Sequence, residues 1–169
     1  KLRLAVITTA KYFVPRLLGS FYARYPGIEV SLKVTNRERV LQRLADNEDD
    51  LYILGQPPEQ MEVHAEAFLE NPLVVIAAHD HPLAGKKNIP LRRLAEEPFL
   101  VREAGSGTRL SAERFLSQQG FTLKVRMELG SNEAIKQAVA GGLGIAVLSA
   151  HTLALERNSN ELAILDVTG

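Results

Sequence analysis

Apolar and polar residues alternate with two different periods along the first part of the chain. Short apolar runs, or strictly alternating stretches, predict strands, and apolar residues three or four apart predict helices. The pattern predicts the order β-α-β-α-β, with elements near residues 2–7, 14–25, 28–34, 40–44 and 51–54. Pro26-Gly27 ends the first helix, and the Gly55-Gln56-Pro57-Pro58 stretch continues neither helix nor strand.

The second part of the chain repeats this alternation. Further elements are expected as strands near 73–78, 99–101, 125–129, 144–148 and 162–165, and as helices ending near Gln119 and Gly141. Strands that alternate with helices favour mainly parallel sheets covered on both faces. We therefore predict two α/β lobes that divide near Asn71-Pro72, with the last segment returning to the first lobe.

Composition narrows the function without naming it. Among 169 residues, Lys plus Arg and Asp plus Glu number 20 each, so no basic excess is available to neutralise nucleic-acid phosphates. The chain has no cysteine, which excludes disulfides, thiolate metal sites and a cysteine nucleophile. No run of about 18 apolar residues is present, and the start lacks the apolar core of a signal peptide. No membrane partner is therefore expected, and the composition leaves the compartment open; the cytoplasm is expected only from the function considered below.

Polar residues follow four of the predicted strands, where helices begin. Helix N-termini at the carboxyl ends of strands direct backbone N–H groups towards one space, which favours anions. The four junctions are Thr8-Thr9-Ala10-Lys11, Thr35-Asn36-Arg37, Gly105 to Arg109, and Ser131-Asn132. The third combines hydroxyls on Ser106 and Thr108 with a guanidinium on Arg109, which suits phosphate or carboxylate. The alternative is that the same residues only form a turn and a helix cap.

Catalytic and metal motifs fail on spacing. Gly105 to Arg109 lacks the pattern of a nucleotide-hydrolysing P-loop, and Ser106 has no evident base. His79 and His81 lack a third metal ligand, so the loop containing them is expected to be solvated. The acidic run 46–50 lacks the glycine and glutamate of a calcium loop and is interpreted as a solvated helix end. We predict no metal and no catalytic residue.

Four stretches carry a family resemblance that spans nearly all of the chain. They are VITTAKYFVPRLL, NEDDLYILGQPP, EEPFLVREAGSGTR and MELGSNEAIKQAVAGGLGIAVLS. They closely resemble the effector-binding domain of LysR-type transcriptional regulators. Within that family they look most like the branch that controls carbon-dioxide fixation or inorganic-carbon uptake in cyanobacteria and other autotrophs.

The resemblance implies two Rossmann-like subdomains joined by two crossovers, similar to type II periplasmic binding proteins, with an effector in the cleft. The crossovers are expected near Asn71-Pro72 and Ser149-Ala150. Subdomain I would then comprise residues 1–71 and 150–169, and subdomain II residues 72–149. The ligand groups implied by the family are Thr8, Thr9, Asn36, Gln56, Ser106, Gly107, Thr108, Arg109 and Asn132. Lys11 is added on physical grounds as a cation beside the first junction.

The resemblance also implies the function and the partners. The chain is expected to be an effector-sensing domain that binds a small phosphorylated metabolite, such as ribulose bisphosphate or 2-phosphoglycolate, without a cofactor and without chemistry on the ligand. Promoter DNA would be bound only through an N-terminal winged helix-turn-helix that lies outside this sequence, and assembly would give a homodimer or homotetramer. The alternative function is a periplasmic solute-binding component of an anion transporter. A prephenate-dehydratase-like enzyme is disfavoured because no nucleophile-base pair is evident.

Overall fold

The computed structural model describes residues 1–154 and 161–168. Contacts within the chain group it into two compact units, Lys1–Asn71 and the part from Pro72 onward. The division falls where the sequence places the first crossover.

Parallel strands and two α-helices build the first unit. Its elements are β1 (Leu2–Ile7), a 3-10 helix (Thr8–Tyr12), α1 (Val14–Arg24), β2 (Val30–Thr35), α2 (Arg37–Ala45) and β3 (Leu51–Ile53). β1 lies between β2 and β3 and pairs with both in parallel. The predicted β-α-β-α-β order of this unit is confirmed. The 3-10 helix is too short for apolar periodicity to signal it.

The core of the first unit forms where β1 meets the start of α1. Leu4 and Val6 on β1 are buried against Ala10 and Val14. Pro15 lies in the first turn of α1, where a missing backbone N–H removes no intrahelical hydrogen bond. The carboxyl end of β1 is therefore held rigidly against the helix that follows it.

An ion pair links the last turn of α2 to the residues just before β3. Nε and a terminal nitrogen of Arg43 donate to the two carboxylate oxygens of Asp49, each at 2.8 Å. The Tyr52 hydroxyl accepts the Asp49 N–H and donates to the Arg43 carbonyl. The Asp49 side chain is only 2% exposed. The interpretation of residues 46–50 as a solvated helix end was therefore wrong for Asp49, since its ion pair with an arginine six residues earlier makes its burial tolerable.

The neighbouring Asp50 is held by Arg3 of β1. Its carboxylate accepts the backbone N–H of Arg3 at 2.8 Å and a guanidinium N–H of Arg3 at 3.4 Å. These two hydrogen bonds, the backbone one first, hold the pKa of Asp50 below its ordinary value. A lowered folded-state pKa gives stability that is present above the unfolded-state pKa and is lost as the pH falls through the folded-state value.

We expect Asp50→Asn to flatten the loss of stability between about pH 5 and pH 2, a window that brackets the unfolded-state pKa of an aspartate. Arg3→Ala should retain much of the acid sensitivity, because it leaves the backbone N–H of residue 3 in place. Urea midpoints measured across this pH range for wild type and both variants give the comparison. A wild-type acid profile in Asp50→Asn would contradict the expectation.

The second unit contains more strands and mixes their directions. Its elements are β4 (Leu73–Ala78), β5 (Ile89–Pro90), α3 (Leu91–Leu94), β6 (Pro98–Arg102), α4 (Gly107–Ser117), β7 (Lys124–Leu129), α5 (Asn132–Ala140), β8 (Ala146–Ser149), a second 3-10 helix (Ala150–Leu153), β9 (Leu162–Ile164) and β10 (Val167–Thr168). β6 pairs with β7 in parallel, and β5 with β10. β4 pairs with both β8 and β9 in antiparallel orientation.

The antiparallel pairs correct the expectation of mainly parallel sheets. Strands that follow each other through a helix run parallel, as β6 and β7 do. β4 is preceded by residues 54–72, which form no helix or strand, and it pairs with strands far away in sequence. Alternation along the chain therefore says nothing about its direction.

The predicted return of residues 150–169 to the first lobe was wrong. β9 pairs with β4, and β10 pairs with β5, so both belong to the second unit. Residues 155–160 and 169 of this segment lie outside the described residues. The reason for the error is that a short apolar strand fits the edge of either lobe equally well on sequence alone.

Helices α4 and α5 cover opposite faces of β6. Phe99 belongs to the same buried cluster as Leu116 of α4, whereas Leu100 belongs to the cluster of Ile135 on α5. Adjacent strand residues point to opposite faces, so each helix covers every second residue of β6. This arrangement decides which helix the last residue of β6, Arg102, faces.

Candidate functional site

Two helix N-termini lie at the same sheet edge in the second unit. β6 and β7 are parallel neighbours, and their last residues, Arg102 and Leu129, are register partners. Ser106 caps α4 by accepting the Arg109 N–H at 3.4 Å, and Ser131 caps α5 by accepting the Ala134 N–H at 3.1 Å. The first turns and positive dipole ends of both helices therefore lie beside each other, which favours an anion.

The loop before α4 shows how the sequence builds this edge. Gly105 has a φ of +92°, a conformation that non-glycine residues adopt at a cost. It turns the chain sharply between the end of β6 and Ser106, whose side chain is buried as the cap. Gly107 and Thr108 form the first turn of α4. Ser106 therefore forms the helix cap that the alternative interpretation assigned to it, and its predicted contact with a ligand stays untested.

Arg109 lies at this edge but already contacts acidic and carbonyl groups. Its Nε donates to Glu113 at 2.9 Å, and a terminal nitrogen donates to the Arg102 carbonyl at 3.3 Å. The same terminal nitrogen is 3.7 Å from a carboxylate oxygen of Glu128. An anionic ligand at Arg109 would therefore exchange places with carboxylates of the protein.

Asn132, the first residue of α5, presents an unused hydrogen-bond donor. Its side chain is almost fully buried, and its Oδ1 accepts from Arg102 at 2.8 Å. Its Nδ2 has no hydrogen-bond partner among the described residues. Leaving a buried donor unsatisfied costs about 1–3 kcal/mol, so such a group is expected to meet an acceptor from outside the chain.

Arg102 and Glu103 also lie at this edge, although the sequence did not predict them as candidates. The Arg102 side chain is 1% exposed, and it donates to both carboxylate oxygens of Glu103, at 2.8 and 3.1 Å. A charged residue closing an apolar strand, directly before the glycine-rich loop, was the signal available in the sequence. A small cavity beside the first turn of α4 is lined by Phe99, Leu100, Val101, Arg102, Thr108, Arg109, Ala112, Ile135 and Val147.

The candidate residues of the first unit gather at the corresponding edge of its own sheet. Ile7 and Thr35, which end β1 and β2, are register partners. Thr8, Thr9 and Lys11 therefore lie on the 3-10 helix next to the start of α2. Thr9 is buried, and the Lys11 ammonium lies 5.2 Å from the centre of the Tyr12 ring. Ligand contacts at these residues stay a prediction.

Asn36 and Gln56 both accept hydrogen bonds from other residues of the first unit. Asn36 caps α2, because its Oδ1 accepts the Arg39 N–H at 3.0 Å. The Gln56 backbone carbonyl accepts from Arg37 at 2.7 Å, which ties the residues after β3 to the start of α2. The structure thus brings both residues to the edge that carries Thr8, and their predicted contact with a ligand remains untested.

Residues 1–154 and 161–168 contain neither a cluster of metal ligands nor a membrane-spanning helix. This part of the chain contains no group of three histidine, aspartate or glutamate side chains placed to hold a metal. His81 instead accepts the Leu83 N–H through Nδ1 and lies 3.3 Å from Glu97 through Nε2. Each helix of the same residues is too short or too polar to cross a bilayer.

Comparison with known families decides what kind of domain this is. The model of the LysR substrate binding domain matches residues 1–169. The chain belongs to the LysR substrate-binding domain family. This family membership confirms the predicted α/β class and the predicted likeness to type II periplasmic binding proteins, because the regulatory domains of the family have that fold.

Relatives of this LysR-family chain are transcriptional regulators. It is 60% identical over 168 residues to a RuBisCO operon transcriptional regulator of Acidithiobacillus ferrooxidans, covering 99% of the chain and 54% of that protein. It is 58% identical to the HTH-type transcriptional activator CmpR of Synechocystis sp. PCC 6803, covering 99% of the chain and 55% of the activator. The chain therefore spans about half the length of these relatives. Because they are transcriptional regulators, the alternative of a transporter component is not supported.

A solved LysR regulatory domain matches the structure closely. The regulatory domain of Synechocystis CcmR, in complex with 2-PG, superposes with a TM-score of 0.94 at 61% identity. The match covers 98% of the present chain and 80% of that domain. The family fold is thus shared over almost all of the sequence.

Proposed function

We propose that this chain is the effector-sensing domain of a LysR-type regulator of carbon-fixation or inorganic-carbon-uptake genes. Its effector is a small phosphorylated acid of the 2-phosphoglycolate or ribulose bisphosphate class. The observation that carries the proposal is the Asn132 amide, whose NH₂ group has no hydrogen-bond partner among the described residues. Asn132 begins α5, and Arg109 lies in the first turn of the adjacent helix α4. The 61% identity to a domain that binds 2-PG supports the same ligand class.

The chemistry of the second-unit edge fits a bound anion. It offers backbone N–H groups of α4 and α5, one buried amide donor and one guanidinium. A phosphate offers several charged acceptor oxygens to donors of this kind, whereas an uncharged group offers fewer strong acceptors. Hydrogen bonds to a charged group are worth roughly twice those between neutral groups.

The domain acts by binding and not by catalysis. The Ser106 hydroxyl, a nucleophile type at this edge, is the cap acceptor for α4. Promoter recognition and assembly into a homodimer or homotetramer are proposed for the longer protein, as are cytoplasmic location and the absence of a cofactor. The relatives' description as HTH-type regulators supports the DNA-binding part.

Calorimetric titration of the 169-residue chain tests the ligand class. We expect 2-phosphoglycolate to bind at least about tenfold more tightly than glycolate, because glycolate lacks the phosphate that the helix N-termini and Arg109 would hold. Ribulose bisphosphate is the second phosphorylated ligand in the comparison, and inorganic phosphate is the control for simple anion binding. Equal affinities for 2-phosphoglycolate and glycolate would refute the proposal.

A further inference from the structure

The buried guanidinium of Arg102 determines which way the Asn132 amide is oriented. Guanidinium nitrogens can only donate hydrogen bonds, so the amide group that faces Arg102 must be the carbonyl oxygen. The NH₂ group of Asn132 is therefore turned away from Arg102, and it is this group that has no partner among the described residues. The free end of the amide is a donor because of Arg102.

Arg102 is itself held rigidly, so its control over the amide is strict. Both carboxylate oxygens of Glu103 accept hydrogen bonds from the guanidinium. Like Leu100 two residues before it, Arg102 lies on the face of β6 that α5 covers. A side chain that is 1% exposed has little freedom to adopt another rotamer in a packed interior. The Glu103 carboxylate also balances the charge of Arg102 locally. Arg102 therefore acts by orienting the Asn132 amide more than through its net charge.

Arg102 contacts both residues that the proposed site needs. Its side chain orients Asn132 on α5, and its backbone carbonyl accepts from Arg109 on α4. The distances are 2.8 and 3.3 Å. One residue at the end of β6 thereby ties together donors from two different helices.

We propose that Arg102 is a positioning residue of the effector site, which fixes the Asn132 amide so that its NH₂ group donates to an oxygen of the bound anion. This inference rests on the proposed function, since it concerns the same ligand. It predicts that the site selects ligands with an acceptor oxygen at this position. An amide free to rotate would accept or donate and would lose that preference.

The test uses three substitutions in the 169-residue chain with 2-phosphoglycolate as the probe. Arg102→Gln offers both a donor and an acceptor to Asn132, so the amide is no longer fixed, and we expect the Kd to rise about tenfold or more. Arg102→Lys still only donates and should recover most of the affinity. Arg93→Gln is the matched control, because Arg93 also pairs with a glutamate, Glu97, but lies on α3. It should leave the Kd within about threefold.

The side-chain NH₂ signals of Asn132 give a readout that a purely structural role would not move. They are assigned in ¹⁵N spectra by their loss in Asn132→Asp, a change that keeps an acceptor oxygen for Arg102. In wild type these signals should shift when 2-phosphoglycolate is added, and Asn132→Asp should bind it at least about tenfold more weakly. If Arg102→Gln does not fold, the binding of Arg102→Lys is compared directly with wild type, and Asn132 signals that do not move when the probe binds to wild type still overturn the positioning role.

The outcomes separate the two proposals. A ligand-dependent shift of the Asn132 signals, together with weak binding by Arg102→Gln and recovery by Arg102→Lys, supports the positioning role. If wild type binds the probe but the Asn132 signals stay in place, or Arg102→Gln binds as wild type does, the positioning role is overturned and the effector site stands. No binding of the probe by wild type overturns both.

Discussion

Arg109→Ala should weaken binding of 2-phosphoglycolate by about 1.5–3 kcal/mol, the range for hydrogen bonds to charged groups, or roughly ten- to hundredfold in Kd. The lower end is favoured because the guanidinium must first leave Glu113 and Glu128. The fold should persist, since an exposed helix ion pair such as Arg109–Glu113 contributes only about 0.3–0.5 kcal/mol. Calorimetry and thermal unfolding of the same samples measure both effects.

Two further variants separate geometry from charge. Arg109→Lys keeps the charge but loses the planar fork, so it should recover only part of the affinity. Arg114→Ala removes an equal charge from an exposed position of the same helix, five residues further along, and should change the Kd little. If Arg109→Ala binds as wild type does while remaining folded, Arg109 is not a ligand residue. If Arg114→Ala weakens binding equally, the effect of Arg109 is only long-range electrostatics.

Gly144→Ala should destabilise the second unit by at least about 2 kcal/mol, towards the upper part of the range for overpacked sites. A Cβ at this position would lie 2.7 Å from the Pro98 carbonyl oxygen and 3.3 Å from the Leu100 side chain. The same carbonyl accepts the Ile145 N–H at 3.0 Å, which joins β6 to the residues before β8. Backbone must therefore move, and a link between two strands is lost or stretched. A fall in thermal midpoint of several degrees is expected.

Gly19→Ala is the matched control for this clash. Gly19 lies inside α1, and a Cβ there would meet nothing within 4 Å. The same chemical change should stabilise the protein by up to about 1 kcal/mol, because alanine has the higher helix propensity. Thermal unfolding of both variants, run side by side, should give shifts of opposite sign. Shifts of equal sign and size would show that the close approach at Gly144 does not limit stability.

The sequence predicted the elements better than it predicted their pairing. Periodicity reports which face of an element is buried, and this was enough to place α4 and α5 after the strands that end at Arg102 and Leu129. Strand direction depends on tertiary pairing, so the antiparallel partners of β4 had no signal in the local pattern. The same limit explains why residues 162–164 were assigned to the wrong lobe.

The helix caps at the candidate site are the part that local chemistry makes predictable, whereas the ligand contacts stay a prediction. Ser106 and Asn36 are N-caps, and caps have a recognisable residue type next to a helix start. Arg102 was not among the predicted site residues, because a buried charge is rare and depends on partners elsewhere in the chain. Its contact with Asn132, 30 residues away, exists only in three dimensions.

The long separation between Arg102 and Asn132 couples effector recognition to folding. Their contact needs β6, β7 and the start of α5 to be docked at once, so a denatured chain carries no equivalent of the oriented donor. A ligand that binds only the native state adds stability by mass action, about 2.7 kcal/mol when its concentration is 100 times the Kd. An effector of this domain would therefore also lengthen the lifetime of the folded second unit in a cell where unfolded chains are degraded.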